Sequence, residues 1–212
     1  MQKVVVTGAS VGIGRQTAIA FAKRGAQVVT NYRQALDEAQ QTLRLVEQAG
    51  GKGILMQADV SDEGQATRLI DDAAQKMGGL DVLVNNAGIT KFIPFPDLDA
   101  ATTEVWDHLY KTNVESMFFC CRAASKIMEK QEGGGAIVNL ASVSGLLPTG
   151  SSIPYSVSKA AIIHLTKCLA RVLSPKIRVN AVAPGVIQNT RWNAGNPNFD
   201  FEQYLSNAAT IP

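Results

Sequence analysis

Lys3-Val4-Val5-Val6-Thr7-Gly8-Ala9-Ser10-Val11-Gly12-Ile13-Gly14-Arg15 is the stretch whose reading decides the fold. The run 3–7 is β-branched and apolar and reads as a buried strand, and a helix is predicted to start near Ile13. Between them, glycines bring bare backbone close to whatever lies in the turn. The helix start then offers unpaired N–H groups and the positive end of its dipole, the requirements of a pyrophosphate. The spacing is T-G-x-x-x-G-x-G rather than G-x-G-x-x-G, and the Gly-Lys-Ser/Thr of a P-loop is absent. Glycines alone are weak evidence. In this strand–turn–helix setting they point to a dinucleotide site, with Gly8, Ser10, Gly12, Ile13 and Gly14 as cofactor-binding residues.

Outward from this stretch the same unit repeats. Strands are predicted over 3–7, 27–31, 53–58, 81–85, 135–141 and 176–182, each nearly continuously apolar, as in a parallel sheet covered on both faces. Helices are predicted over 13–24, 35–49, 62–77, 103–130 and 155–173, with Ser61 as an N-cap ahead of Asp62 and Glu63. Strict alternation implies right-handed βαβ units and an α/β, doubly wound parallel sheet. No linker divides the chain, so residues 1–212 are read as a single domain holding both cofactor and substrate sites.

The composition agrees and excludes other classes. Of 212 residues, 46% are hydrophobic and 18% charged, which suits a packed core. Twenty basic and 18 acidic residues leave a net charge of +2 with no basic block, so nucleic acid is not the expected partner. No apolar run approaches a membrane span, and no signal or transit peptide precedes the first strand, so the expected location is cytoplasmic. Cys120, Cys121 and Cys168 are read as buried, reduced side chains. His108 and His164 lie on separate helices without cysteine partners, so no metal site is expected. Ser142 lacks the G-x-S-x-G setting of a serine hydrolase.

In such a sheet, ligands sit at the carboxyl ends of the strands. An acid ending the second strand would bind a ribose 2′-hydroxyl and repel a 2′-phosphate. This chain has Asn31-Tyr32-Arg33 there, and Arg33 suits a 2′-phosphate through charge-assisted hydrogen bonds. NADP is therefore preferred over NAD, with use of both allowed; the competing reading is a solvated surface arginine. Asp59 and Val60, after the third strand, are placed to touch an adenine, and Asp59 reads equally well as a turn or cap residue. Asn85-Asn86-Ala87-Gly88 closes the fourth strand, with amide side chains that brace the central strands and the cofactor ribose, or as a polar turn holding the sheet together, the two readings being compatible.

Tyr155 and Lys159 are one helical turn apart on one face. A free phenol titrates near ~10, and an adjacent ammonium favours the phenolate. Tyr155 then suits proton exchange with an oxygen passing between carbonyl and alcohol. Ser142, at the carboxyl end of the strand 135–141, can hold the same oxygen. Asn113 lies inside the predicted helix 103–130, as a polar kink, as a water-binding carbonyl or as an exposed asparagine.

The set TGASVGIG, NNAG, Asn113, Ser142, YSVSK and Ala183-Pro184-Gly185 resembles the short-chain dehydrogenase/reductase family, oxoacyl-carrier-protein reductases and sugar dehydrogenases in particular, from residue 3 to about residue 190. The resemblance implies a Rossmann-type three-layer sandwich and NAD(P)-dependent oxidation of an alcohol or reduction of a ketone. It implies Tyr155 as acid/base, Lys159 on the nicotinamide ribose, Ser142 on the substrate oxygen and Asn113 holding a relay water. Asn86, Ala87, Gly88, Tyr155, Lys159, Pro184, Gly185 and Ile187 join the cofactor set. It also implies a small-molecule substrate and a homo-oligomer, dimer or tetramer, when a C-terminal segment is present. The alternative is a sensor or scaffold of the same fold without turnover. Two departures stand out. The threonine expected soon after Pro-Gly comes one position later, at Thr190. The chain also stops before the family's last helices and strand, so a C-terminal strand is expected to be missing.

Two further segments stay open. Lys91-Phe92-Ile93-Pro94-Phe95-Pro96 reads as a substrate wall or a packed loop. Trp192, Phe199, Phe201 and Tyr204 read as a lid or an anchor for the tail. Trp106, Leu109, Tyr110, Val114, Met117 and Phe118 recur at helical spacing, mostly as core, with some facing a partner subunit.

Overall fold

The computed structural model of the chain describes residues 1–187 and 190. The strands are β1 (Lys3–Val6), β2 (Gln27–Tyr32), β3 (Lys52–Gln57), β4 (Val82–Asn85), β5 (Gly135–Leu140) and β6 (Ile177–Val182). They form a six-stranded sheet in the order β3-β2-β1-β4-β5-β6, with every pairing parallel. The winding reverses beside β1, which lies between β2 and β4, and this opens a crevice at the carboxyl ends of β1 and β4.

The helices α1 (Gly12–Ala22), α2 (Leu36–Gln48), α3 (Glu63–Met77), α4 (Thr103–Tyr110), α5 (Ser116–Met128) and α6 (Ile153–Leu173) connect the strands. Two hydrophobic clusters result. Val4, Val6, Val28 and Val84 pack with Ala18, Ala22 and Val46 of α1 and α2. Val5, Leu83 and Ile137 pack with Leu69, Ile70, Met117, Cys120, Cys121 and Ile162 of α3, α5 and α6. The division follows from strand alternation, since successive side chains of one strand enter opposite layers. The doubly wound three-layer architecture read from the sequence is the one observed.

Three local expectations are corrected. The cap of α3 is Asp62, whose carboxylate accepts the Gln65 amide at 2.8 Å; Ser61 instead donates through its hydroxyl to Asp59. The predicted helix 103–130 is α4 and α5 joined by a π-helical turn over Lys111–Glu115. Cys168 is exposed, whereas Cys120 and Cys121 are buried and reduced. Among the described residues no helix is long and apolar enough to cross a membrane, and no three metal-ligating side chains cluster. The tail residues Trp192, Phe199, Phe201 and Tyr204, and the stretch to which the missing-strand expectation applies, lie outside the described residues.

Candidate active site

The glycine turn is built by polar groups that reach it from three strands. Thr7 accepts the amides of Asn86 and Ala87 on its hydroxyl, each at 3.0 Å. The Asn86 side chain donates to the carbonyls of Thr7 and Gly8 at 2.9 Å. Asn31 accepts the Gly8 amide at 3.2 Å and donates to the Ala58 carbonyl at 3.1 Å, so one buried amide spans β1, β2 and β3. Arg15 donates to the Ser10 carbonyl, to the Thr42 hydroxyl and to the Glu38 carbonyl, which locks the turn onto α2.

At Gly8 and Gly14 this cradle leaves no room for a side chain. A Cβ on Gly14 would lie 2.5 Å from the Asn86 amide nitrogen and 2.6 Å from the Gly8 carbonyl oxygen. Gly8, at φ +61°, would meet the Ala87 Cα at 2.8 Å. Val11 precedes α1 without any side-chain cap, and no acid stands in the first turn. Close backbone and an uncapped helix start, free of negative charge, suit a pyrophosphate. Ile13 packs its side chain against the core and leaves its backbone to the turn.

At the neighbouring strand ends, Arg33 and Asp59 form an ion pair at 3.6 Å. Burial pushes the Asp59 carboxyl upward, but the hydroxyl and amide of Ser61 and the Arg33 guanidinium outweigh it, and the group titrates below the usual carboxylate range. The Val60 side chain is buried in the core. Asn85 donates to Asn139 at 2.9 Å and to the Cys121 sulfur at 3.2 Å, while Asn139 donates to Thr166 at 3.0 Å. Asn85 therefore braces the central strands, and Asn86 is the member of the motif that faces the crevice turn.

The structure brings Ser142, Tyr155 and Lys159 together at the carboxyl end of β5. Ser142 caps the short 3-10 turn Val143–Gly145 by accepting the Ser144 amide at 3.1 Å, and it hydrogen-bonds the Tyr155 phenol. α6 begins at Ile153, two residues earlier than predicted, because Ser152 caps it onto the Tyr155 amide and Pro154 fits its first turn. Lys159 donates to the Leu140 carbonyl at 2.9 Å and lies 5.7 Å from the Tyr155 ring centroid. A Cβ on Gly145 would sit 2.6 Å from the Lys159 backbone, so the serine turn touches α6 directly.

Titration behaviour differs from the sequence expectation. Burial pushes the Tyr155 phenol up, with the Ser142 hydrogen bond pulling partly back. Burial also lowers Lys159 to about 8. The fold desolvates both groups, and the amine spends a bond on a backbone carbonyl, so it does not pull the phenol below its ordinary range here.

Asn113 sits in the π-helical turn, fully buried. Its side chain accepts the Ile89 amide at 2.8 Å and donates to the Ile89 carbonyl and to the Ser158 hydroxyl, both at 3.1 Å. The kink reading holds and the exposed-asparagine reading fails. Gly88 lies between Asn113 and Lys159; its Cβ position is 3.2 Å from the Asn113 side-chain oxygen and 3.7 Å from the lysine nitrogen. The Pro184 carbonyl accepts the Val143 amide at 3.0 Å, tying the serine turn to the strand exit that continues through Gly185 to Ile187. Thr190 reaches the crevice, its methyl 3.6 Å from the Cβ position of Gly12.

Sequence reasoning passed over several supporting residues. Ser158 joins Asn113 to the Tyr155 carbonyl. Thr90 and Ser151 bond to each other through their hydroxyls, and Ile93 donates to the Ser151 carbonyl at 2.8 Å. These bonds pin the 91–96 loop, where Ile93 is buried, against the start of α6. Only the Ser-x-Pro before Tyr155 carried a usable signal, as a helix start.

Comparison with known proteins identifies the family. The family model for short chain dehydrogenase matches residues 2–198. A 3-oxoacyl-(acyl-carrier-protein) reductase of Synechocystis is 40% identical over 187 residues, 88% of this chain and 74% of that protein. The 3beta-hydroxysteroid dehydrogenase 1 of Eggerthella lenta is 40% identical over 192 residues, 90% of this chain and 72% of that protein. A crystal structure of a dehydrogenase/reductase from Sinorhizobium meliloti matches with a TM-score of 0.85 at 35% identity, covering 96% of this chain and 78% of that one. Given a family model matched over nearly the whole length and relatives at this identity, the chain belongs to the short chain dehydrogenase family.

Proposed function

We propose that this chain is a single-domain oxidoreductase that prefers NADP over NAD and interconverts an alcohol and a ketone. The observation that carries the reading is the meeting of the Ser142 hydroxyl, the Tyr155 phenol and the Lys159 amine at the end of β5. A nicotinamide dinucleotide, when bound, supplies or accepts the hydride. Gly8, Ser10, Gly12, Ile13 and Gly14 hold its pyrophosphate, Arg33 its 2′-phosphate, Asp59 and Val60 its adenine edge, and Asn86, Ala87 and Gly88 its ribose. Pro184, Gly185 and Ile187 line the nicotinamide.

Ser142 holds the substrate oxygen and Tyr155 gives it a proton, or takes one in the reverse direction. Burial keeps the phenol protonated near neutral pH, the form that can donate to a carbonyl oxygen. Lys159 supports Tyr155, and Asn113 holds the backbone that relays the proton to water. The test is Tyr155→Phe, assayed on a panel of carbonyl substrates with NADPH and NADH in parallel. Turnover falls by about 100-fold or more, while the Kd for NADPH stays unchanged. Full turnover in the variant would remove Tyr155 from the mechanism.

A further inference from the structure

Arg33, assigned above to the 2′-phosphate, does not wait with an open guanidinium. It is paired with Asp59. The pairing follows from the register: Tyr32 stands opposite Gln57, the Ala58 amide donates to the Tyr32 carbonyl at 3.0 Å, and so β2 and β3 end side by side. Each partner is held independently. The Arg33 carbonyl accepts from the Gln57 side chain at 2.9 Å. One Asp59 oxygen accepts the Ser61 amide at 3.0 Å and its hydroxyl at 2.7 Å, and the Asp59 amide donates to Gln65 at 3.0 Å. Asp59 is thus an anion fixed at a strand end. Arg15, the next cation along the crevice, is turned inward onto the Ser10 carbonyl and the Thr42 hydroxyl.

We propose that Asp59 competes with the 2′-phosphate for Arg33 and thereby sets how far the chain discriminates between the two dinucleotides. The proposal rests on the dinucleotide reading of the crevice. A guanidinium offers a planar fork that serves one carboxylate or one phosphate well. The side chains of Arg33 and Asp59 are 45% and 33% exposed, so the pair is open to a ligand and weak enough to exchange. A phosphate that takes the guanidinium must release Asp59 and then lie near its charge. Both effects weaken binding of the phosphorylated dinucleotide relative to the other. The chain would then prefer NADP only moderately, with Asp59 as the residue that limits the preference.

The probes are 2′,5′-ADP and 5′-AMP, whose dissociation constants need no substrate. Calorimetry is run on the wild-type chain, Asp59→Asn, Arg33→Ala and the double variant; asparagine keeps an oxygen for Ser61. Asp59→Asn is expected to tighten 2′,5′-ADP relative to 5′-AMP by roughly three- to tenfold. In the Arg33→Ala background the same change gives a clearly smaller gain, because only the repulsion by the Asp59 charge is left to remove. Three results overturn the proposal while the crevice still binds nucleotide: an unchanged ratio of the two affinities in Asp59→Asn, parallel weakening of both probes, or a gain that persists undiminished without Arg33. Parallel weakening would make Asp59 an adenine contact instead. Failure of the wild-type chain to bind either probe overturns the dinucleotide reading itself, and the proposal with it.

Discussion

Lys159 sits in the fold at a cost. Its ammonium is buried and its pKa falls from 10.5 to about 8. Between these values the unfolded chain holds the proton and the folded chain does not, so folding grows more favourable as pH rises through that window. Below about 8 both states are protonated and the full penalty remains. Relative to Lys159→Met, the wild-type chain should therefore gain about 2 kcal/mol of unfolding free energy between about pH 7.5 and 9.5. Urea denaturation at the two pH values measures this, and a constant difference would mean that the amine is not desolvated. The penalty is tolerated because the same burial places the amine beside Tyr155 and the Leu140 carbonyl. Cys121 shows the complementary case: burial pushes its thiol up to about 12, so it acts as a neutral hydrogen-bond partner of Asn85.

At the scale of elements, the site depends on how closely two short pieces of backbone approach. The 3-10 turn after β5 lies on α6 only because position 145 lacks a side chain. Gly145→Ala places a methyl 2.6 Å from the Lys159 backbone, which cannot retreat without moving α6. An overpacked contact costs about 1–3 kcal/mol, so the melting temperature should drop by roughly 2–12 °C, read by calorimetry. An unchanged melting temperature would show that the turn can move away freely. The π-helical turn between α4 and α5 works in the same way. It brings Asn113 inward to Ile89 and Ser158, whereas a regular helix through these residues would present a different face to α6.

For the whole molecule, the outer surface of α4 and α5 carries exposed aromatic side chains among the described residues. Tyr110 and Phe118 are exposed at 41% and 38%, and Arg122 stacks over Phe118 and Phe119 while pairing with Glu63. Large aromatics beside arginine are typical of interface centres, so this surface is where the homo-oligomer implied by the family resemblance is to be tested. Phe118→Asp should lower the sedimentation mass at micromolar concentration to that of one chain and leave the circular-dichroism spectrum intact. The same mass for both proteins would place any self-association elsewhere.

Sequence alone determined the parallel, doubly wound sheet, because each strand is an apolar run and each helix carries its own stripe and stop signals. It also determined Ser142, Tyr155 and Lys159 as a group, because helical spacing and strand-end position are local properties. Tertiary structure decided what needs distant partners. It placed Asn31, Asn85 and Asn113 in buried polar bridges, exposed Cys168, paired Arg33 with Asp59, and raised the phenol that its lysine neighbour was expected to lower. The reason is desolvation. A charge felt through one helical turn can be read from spacing, but the loss of water around a group depends on every element packed against it.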